Sequence, residues 1–291
     1  MENNDKVINI DDFTPAEMAK KVEAASIRKA NLSFMSLLVL SVLAGTFIAF
    51  GCEFYTLAIF DSSLPIGLTR VIGGITFSVG LILVIVAGAE LFTGNNLIIM
   101  GVVARTVSFK QLLRNWSVSY MGNFFGAILL VFVMFLTNQW KLKEGLLGAN
   151  AVLIAANKVN LTFLEGFTRG MLCNALVCLA VWLCFSARTV VSKIAAIIFP
   201  ITAFVASGFE HSIANMYFIP YGMLLKNNPK VIDALLKLSP NVDLSNLNIP
   251  GFLGNLLSVT TGNIIGGAFV VGLSYWFIIV RPERKKLKEK E

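Results

Sequence analysis

The chain has 291 residues, 56% of them apolar and only 14% charged, with a mean hydropathy of +0.75. A soluble domain carries about 25% charge, so this composition excludes disordered, collagen-like and coiled-coil chains and nearly every soluble enzyme. It leaves an integral membrane protein, in which a formal charge of +7 reads as basic residues gathered on the cytoplasmic side and calls for no nucleic acid.

Residues 1–31 are polar and mixed in charge, which argues against a cleavable signal peptide. Thr14-Pro15-Ala16-Glu17 reads as a helix start, with a capping threonine, a proline in the first turn and a glutamate to close a capping box. The helix that follows puts Met18, Val22 and Ala25 on one side. It fits a helix on the cytoplasmic membrane surface or an ordinary solvated one. Apolar segments then run at roughly 33–59, 64–103, 112–137, 161–187, 194–225 and 251–280. A span needs about 20 residues. Four segments suit one span each. The second and fifth are long and interrupted, by Glu90, Thr93, Gly94, Asn95 and Asn96 in one and by Ser207, Gly208, Glu210, His211, Ser212 and Asn215 in the other. Lys158 falls in a polar loop after the third span, and residues 283–291 form a basic tail. With six spans and the N-terminus inside, 16 of the 24 Lys and Arg residues fall on the cytoplasmic side, so both termini are placed in the cytoplasm.

Two motifs recur in order. Gly-x-Glu-x4-Asn occurs at Gly88–Asn95 and again at Gly208–Asn215, 120 residues on. Gly-Asn-x-x-Gly occurs at Gly122–Gly126 and again at Gly262–Gly266, 140 residues on. The extra 20 residues match the polar stretch from Lys226 to Pro250. Three-span halves at about 32–140 and 160–282 are therefore related, and because three is odd they cross the membrane in opposite senses. The expected fold is an all-α membrane protein with an inverted 3+3 repeat, its second and fifth spans broken, in a domain over 32–282. Breaks at corresponding positions point to a permeation site. Freed backbone groups survive at membrane depth only beside protein or a water-filled cavity, and a half-helix N-terminus attracts an anion without a full cation.

Several polar residues within the spans are candidates. His211 is the only histidine, and ionisable groups in spans are functional by default. It would line the pathway and donate a hydrogen bond or a proton. Thr93 lies in the other break, where the two would form a two-point selectivity site. Glu90 and Glu210 hold matching repeat positions and are expected to accept hydrogen bonds from the freed N–H groups. Asn95, Asn215, Asn123 and Asn263 are repeat-related and structural, and Asn174 is a further amide in an apolar span. Leu81, Leu91, Phe92, Phe204, Phe77 and Val177 flank the breaks and could form dry constrictions. Cys52, Cys173, Cys178 and Cys184 lie in apolar runs without a C-x-x-C pair, so no metal site, disulfide or cofactor is expected. A hydrolase built on Ser207, four residues before His211, lacks a recognisable nucleophile elbow.

The motifs Ala87–Thr93, Asn115-Trp116 with Gly122–Ala127, Asn174–Trp182, Ala206–Met216 and Gly262–Gly267 resemble the formate–nitrite transporter family, most closely its formate channel branch. The likeness covers about residues 15–280. It implies an aquaporin-like protomer in a symmetric homopentamer, with one pore per protomer in a bacterial inner membrane and a small monovalent anion such as formate as substrate. It also implies that His211 faces Thr93, that Lys158, Asn174 and Glu210 surround the vestibule and central site, and that the N-terminal helix takes part in gating. Nitrite, hydrosulfide and lactate branches share this core. A neutral-solute pore is the alternative of another class, against which the missing paired Asn-Pro-Ala signature argues.

Overall fold

A computed structural model describes residues 12–282, so the basic tail at 283–291 and the first 11 residues lie outside the described part. The described residues are helical, with no strand among them. The helices are α1 (Pro15–Ala30), α2 (Phe34–Ile59), α3 (Ile66–Leu83), α4 (Ile99–Val103), α5 (Phe109–Leu136), α6 (Leu142–Val159), α7 (Phe163–Ser186), α8 (Val190–Ala206), α9 (Ser212–Leu225), α10 (Pro229–Leu238) and α11 (Ile249–Ile264). A π turn, Val84–Gly88, extends α3, and a 3-10 turn, Gly94–Ile98, leads into α4. Further π turns carry α11 on to Val280. Among the described residues five helical stretches are long and apolar enough to cross a membrane: Phe34–Ile59, Ile66–Gly88, Phe109–Leu136, Phe163–Ser186 and Ile249–Val280.

Local sequence sets the helix starts. Thr14 and Glu17 form the capping box of α1, and the Thr14 backbone and hydroxyl hold the Glu17 carboxyl below its usual range. Ser33 caps α2 and Thr162 caps α7. Ser108 caps α5 and Asn248 caps α11. These donors would otherwise be orphaned.

Two expectations need correction. First, the apolar stripe of α1 is covered by protein, so α1 is not an ordinary solvated helix. Met18, Ala19, Val22, Ala25 and Ala30 are buried, and the helix packs on α4, α7 and the last π turns. Its apolar stripe finds a protein surface, where Met18 and Val22 join Trp182, Met100 and Val280 in one cluster. Second, Lys158 is not on a polar loop but in the last turn of α6. That helix is rich in Ala and Gly, so it is only weakly apolar, yet Leu147, Ala149, Ala151, Val152, Ala155 and Ala156 are buried. Its first turn holds Lys143, Glu144 and Gly145 at positive φ, and Lys143 pairs with Asp61.

The long helices cross at small residues. A Cβ on Gly126 of α5 would overlap the Val42 carbonyl of α2, and one on Gly266 would overlap the Met171 carbonyl of α7. Such contacts let backbones approach where lipid supplies no hydrophobic drive. Gly126→Ala should therefore destabilise by about 1–3 kcal/mol through overpacking. Gly254→Ala, where a Cβ meets nothing within 4 Å, should be neutral or stabilising. Thermal unfolding in detergent checks both, and equal melting temperatures would contradict the packing account.

Candidate functional site

Both interrupted segments break in the same way. Gly88 (φ 85°) turns the chain out of the α3 end, and Gly208 (φ 72°) turns it out of α8. These are backbone conformations that glycine adopts without strain. Each break leaves backbone groups that a membrane interior cannot hydrate; the Glu90 and Glu210 N–H groups donate to the Leu40 and Arg169 carbonyls, and a single asparagine binds a further N–H and a carbonyl of each break. Asn123 Oδ1 accepts from Phe92 N–H at 2.9 Å, while its Nδ2 donates to the carbonyls of Glu90 (3.0 Å) and Ser41 (2.7 Å). Asn263 Oδ1 accepts from Ser212 N–H at 2.9 Å, while its Nδ2 donates to the carbonyls of Glu210 (3.0 Å) and Gly170 (2.8 Å).

Glu90 and Glu210 do not take the freed N–H groups, contrary to the expectation from sequence. A carboxylate only accepts, whereas an amide donates and accepts at once and can bridge both edges of a break. The carboxylates instead hold cations. Lys29 Nζ lies 2.8 Å from Glu90, and Lys158 Nζ lies 3.0 Å from Glu210. Asn95 Nδ2 donates to Glu90 and to Asn115, and Asn215 Nδ2 donates to Glu210 and to Asn255. Asn115 and Asn255 close each circuit on the carbonyls of Lys29 and Lys158. Lys29 and Asn255 escape a motif search because they lie far along the chain from the breaks.

At the centre, His211 Nε2 is 3.0 Å from Thr93 Oγ1. His211 is also the N-cap of α9, where its Nδ1 accepts from Ala214 N–H at 3.2 Å. A neutral ring with Nδ1 accepting carries its proton on Nε2, so Nε2 donates to Thr93. That leaves the threonine hydroxyl proton for another acceptor. The Thr93 carbonyl is tied by Asn174 Nδ2 (3.3 Å) and Cys178 Sγ (3.4 Å). Asn174 also donates to Asn96 and to the Asn263 carbonyl, so it fixes the Thr93 loop against the other half. Histidine and threonine are 3% and 0% exposed.

Two cavities approach this pair. One, of 440 Å³, is lined by Lys29, Glu90, Leu91, Asn95 and Leu81 among others. The other, of 320 Å³, is lined by His211, Lys158, Glu210, Phe77 and Phe204 among others. Phe77 and Leu81 lie one turn apart on α3, so the cavities abut along it. Phe204 stacks on the His211 ring (centroids 6.1 Å) and meets Phe77 edge-on (5.6 Å). Phe92 and Val177 line neither cavity. Phe92 packs edge-on against Trp116 and Tyr120, and Val177 is buried in the main core. Ser207 makes no described bond to His211, whose two nitrogens are engaged with Thr93 and Ala214. Glu53, in α2, is a buried acid that sequence reasoning passed over; an ionisable residue inside an apolar span is the signal that marks it.

Apolar helices, two of them broken opposite each other, with a buried polar pair between two cavities, define a membrane transport protein. The chain belongs to the formate/nitrite transporter family, whose model matches residues 16–277. It is 41% identical over 271 residues to the formate channel FocA of Escherichia coli strain K12, covering 92% of this chain and 94% of that one. It is 38% identical over 286 residues to a probable formate transporter of Methanothermobacter thermautotrophicus, covering 92% and 97%. Among solved structures, a pentameric formate channel with formate bound matches with a TM-score of 0.75 at 40% identity, over 85% of this chain and 98% of that chain.

The Lys158–Glu210 pair yields a prediction. Their side chains are only 14% and 6% exposed, so Lys158→Met should leave a buried carboxylate unpaired and destabilise by about 3–5 kcal/mol. Adding Glu210→Gln should restore most of that loss. Unfolding of single and double variants checks it, and simple additivity would show that the pair is not coupled.

Proposed function

We propose that this chain is a channel for formate and similar small monovalent anions in a bacterial inner membrane, with both termini in the cytoplasm. The observation that carries the reading is the Thr93–His211 pair, set between two cavities where two broken helices meet. The formate-channel relatives support formate as the anion. In this reading α8 and α9 together form the fifth of six spans, beside the five long ones.

The paired hydrogen bonds support an inverted repeat that includes more than the sequence suggested. Lys29 answers to Lys158 and Ser41 to Gly170, each at an offset of 129 residues; the Glu90–Asn95 group follows at 120 and Asn115 and Asn123 at 140. Each repeat then begins with its own helix, α1 in one and α6 in the other, and α10 is the insertion in the second. The outward-facing Phe125, Leu129, Phe132, Leu253, Leu257 and Phe277 are well exposed. Their apolar surface suits lipid and neighbouring protomers, and the pentameric structural relative supports a homopentamer.

An anion entering from either side first meets a lysine already paired to a glutamate. At the centre it meets the N-terminal ends of α9 and of the Gly94–Val103 segment, with the Nε2–H of His211 and the hydroxyl of Thr93 as donors. The neutral ring has one proton to donate and cannot give it up without becoming an anion. A proton relay therefore requires a second proton on Nδ1. That proton would displace the Ala214 cap and bring positive charge to a helix N-terminus, costing about 0.5–2 kcal/mol for the cap alone. His211 acts here as a hydrogen-bond donor, not as a relay.

Flux into proteoliposomes tests this. Formate should exceed nitrite, hydrosulfide, lactate and chloride. His211→Asn keeps a capping oxygen and a donor and should retain formate flux. His211→Phe should reduce it about 10- to 100-fold, the equivalent of a lost hydrogen bond to a charged group, ~1.5–3 kcal/mol. Equal loss in both variants would overturn the donor role in favour of the relay. No anion flux in folded protein would overturn the channel itself.

A further inference from the structure

Glu53 lies in α2, in a part of the protein that the permeation reading does not use. Its carboxyl is buried, the residue being 7% exposed. Tyr217 of α9 donates to its Oε2 at 2.5 Å. Oε1 is buried with no hydrogen-bond partner in the protein, and so is the hydroxyl of Tyr221, one turn further along α9. The two tyrosine rings pack together at 5.4 Å. Glu53 lines neither cavity.

The other two buried glutamates set the contrast. Glu90 and Glu210 each hold a lysine and an asparagine. Among the described residues no lysine, arginine or histidine pairs with Glu53. The titratable groups facing it are Tyr217 and Tyr221 from α9 and Cys52 beside it on α2, whose Sγ points to the Ala214 carbonyl at 3.8 Å. Lys158 of α6 is bound to Glu210. A charge taken out of water is tolerated when it is paired and hydrogen-bonded, and one tyrosine does not do that. A carboxylic acid needs no counter-ion, and its carbonyl oxygen suits the single Tyr217 donor.

We propose that Glu53 is a proton-binding site of this protein, away from the pore, where the neutral acid braces half-helix α9 and ionisation loosens it. Tyr217 lies six residues from His211, so about 9 Å along the helix at 1.5 Å per residue. Cys52 touches the first turn of α9, whose Ala214 is capped by His211. Whatever shifts α9 at Tyr217 therefore moves the cap that orients the imidazole. The carboxyl site stands on its own geometry, while its effect on flux rests on the channel reading above.

Infrared spectroscopy of the full-length protein in lipid separates the two. At neutral pH the wild type should show the carbonyl stretch of a protonated carboxyl, and Glu53→Gln, which keeps the shape and the Tyr217 hydrogen bond, should lose it. Absence of that band in the wild type, or its persistence in the variant, would overturn the proton site. Should the variant fail to fold, the wild-type band and its disappearance on alkalinisation still decide the question. Formate flux measured from about pH 6 to pH 9, spanning neutrality, should fall on the alkaline side in the wild type and stay level in Glu53→Gln. Superimposable profiles together with a lost band would overturn the brace and leave the proton site standing. No flux in either protein would count against the channel and not against Glu53.

Discussion

The rest of the structure depends on one constraint: a helix broken at membrane depth must have its freed backbone groups satisfied by the protein itself. A carboxylate can only accept, whereas an amide also donates. Asn123 and Asn263 meet the requirement by bridging an N–H on one side of the break to a carbonyl on the other, and each anchors the result to a neighbouring long helix through the carbonyl of Ser41 or Gly170. Broken spans of this kind remain ordered because the amide sits on an unbroken helix packed closely alongside. Gly122, Gly126, Gly262 and Gly266 permit that approach. The helix crossings and the pore geometry are therefore one problem with one solution, used twice.

Charge follows the same twofold pattern. Each lysine pairs with the glutamate beside its break, so in the proposed channel neither carboxylate presents a net charge to an anion. Each glutamate is joined to a circuit of two asparagines that returns to the carbonyl of its own lysine. These hydrogen-bonded circuits tie each lysine and its glutamate to the long helices beside them.

Much of this was legible in the sequence, for definite reasons. The Gly-x-Glu-x4-Asn and Gly-Asn-x-x-Gly motifs stand out because turn glycine, acid and amide must keep fixed spacing within one break or along one helix. The pairing of Lys29 with Lys158 was not legible. Arg28-Lys29-Ala30 and Asn157-Lys158-Val159 share only the lysine, and the helices that carry them differ in character, α1 charged and α6 rich in alanine. The same low hydropathy concealed α6 inside what read as a polar loop. Phe92 read as a constriction because it adjoins Thr93. Yet neighbours along an irregular segment face different ways, and its ring packs into the Trp116–Tyr120 side instead. Glu53 was visible as an acid in an apolar span, but its tyrosine partners lie 164 and more residues away, beyond any local pattern.

Where the proposed repeat fails is as informative as where it holds. At the 120-residue offset His211 answers to Leu91 and Thr93 to Ile213, and at the 129-residue offset Asn174 answers to Gly45. The scaffold residues match across the halves, whereas the groups that meet at the centre do not. Two identical half-sites would oppose imidazole to imidazole or leucine to leucine, giving either two competing donors or a wholly apolar plug. One imidazole against one hydroxyl instead gives a directed hydrogen bond, with a spare proton on the hydroxyl and apolar residues filling the equivalent places. Two helix N-termini converge on this spot with partial positive charge, while the full charges are cancelled in pairs further out. In the proposed channel an anion at the centre is thus met by dipoles and by donors it can borrow, without a cation that would hold it there. That balance is what conduction requires, since a site must bind well enough to admit an ion and weakly enough to release it.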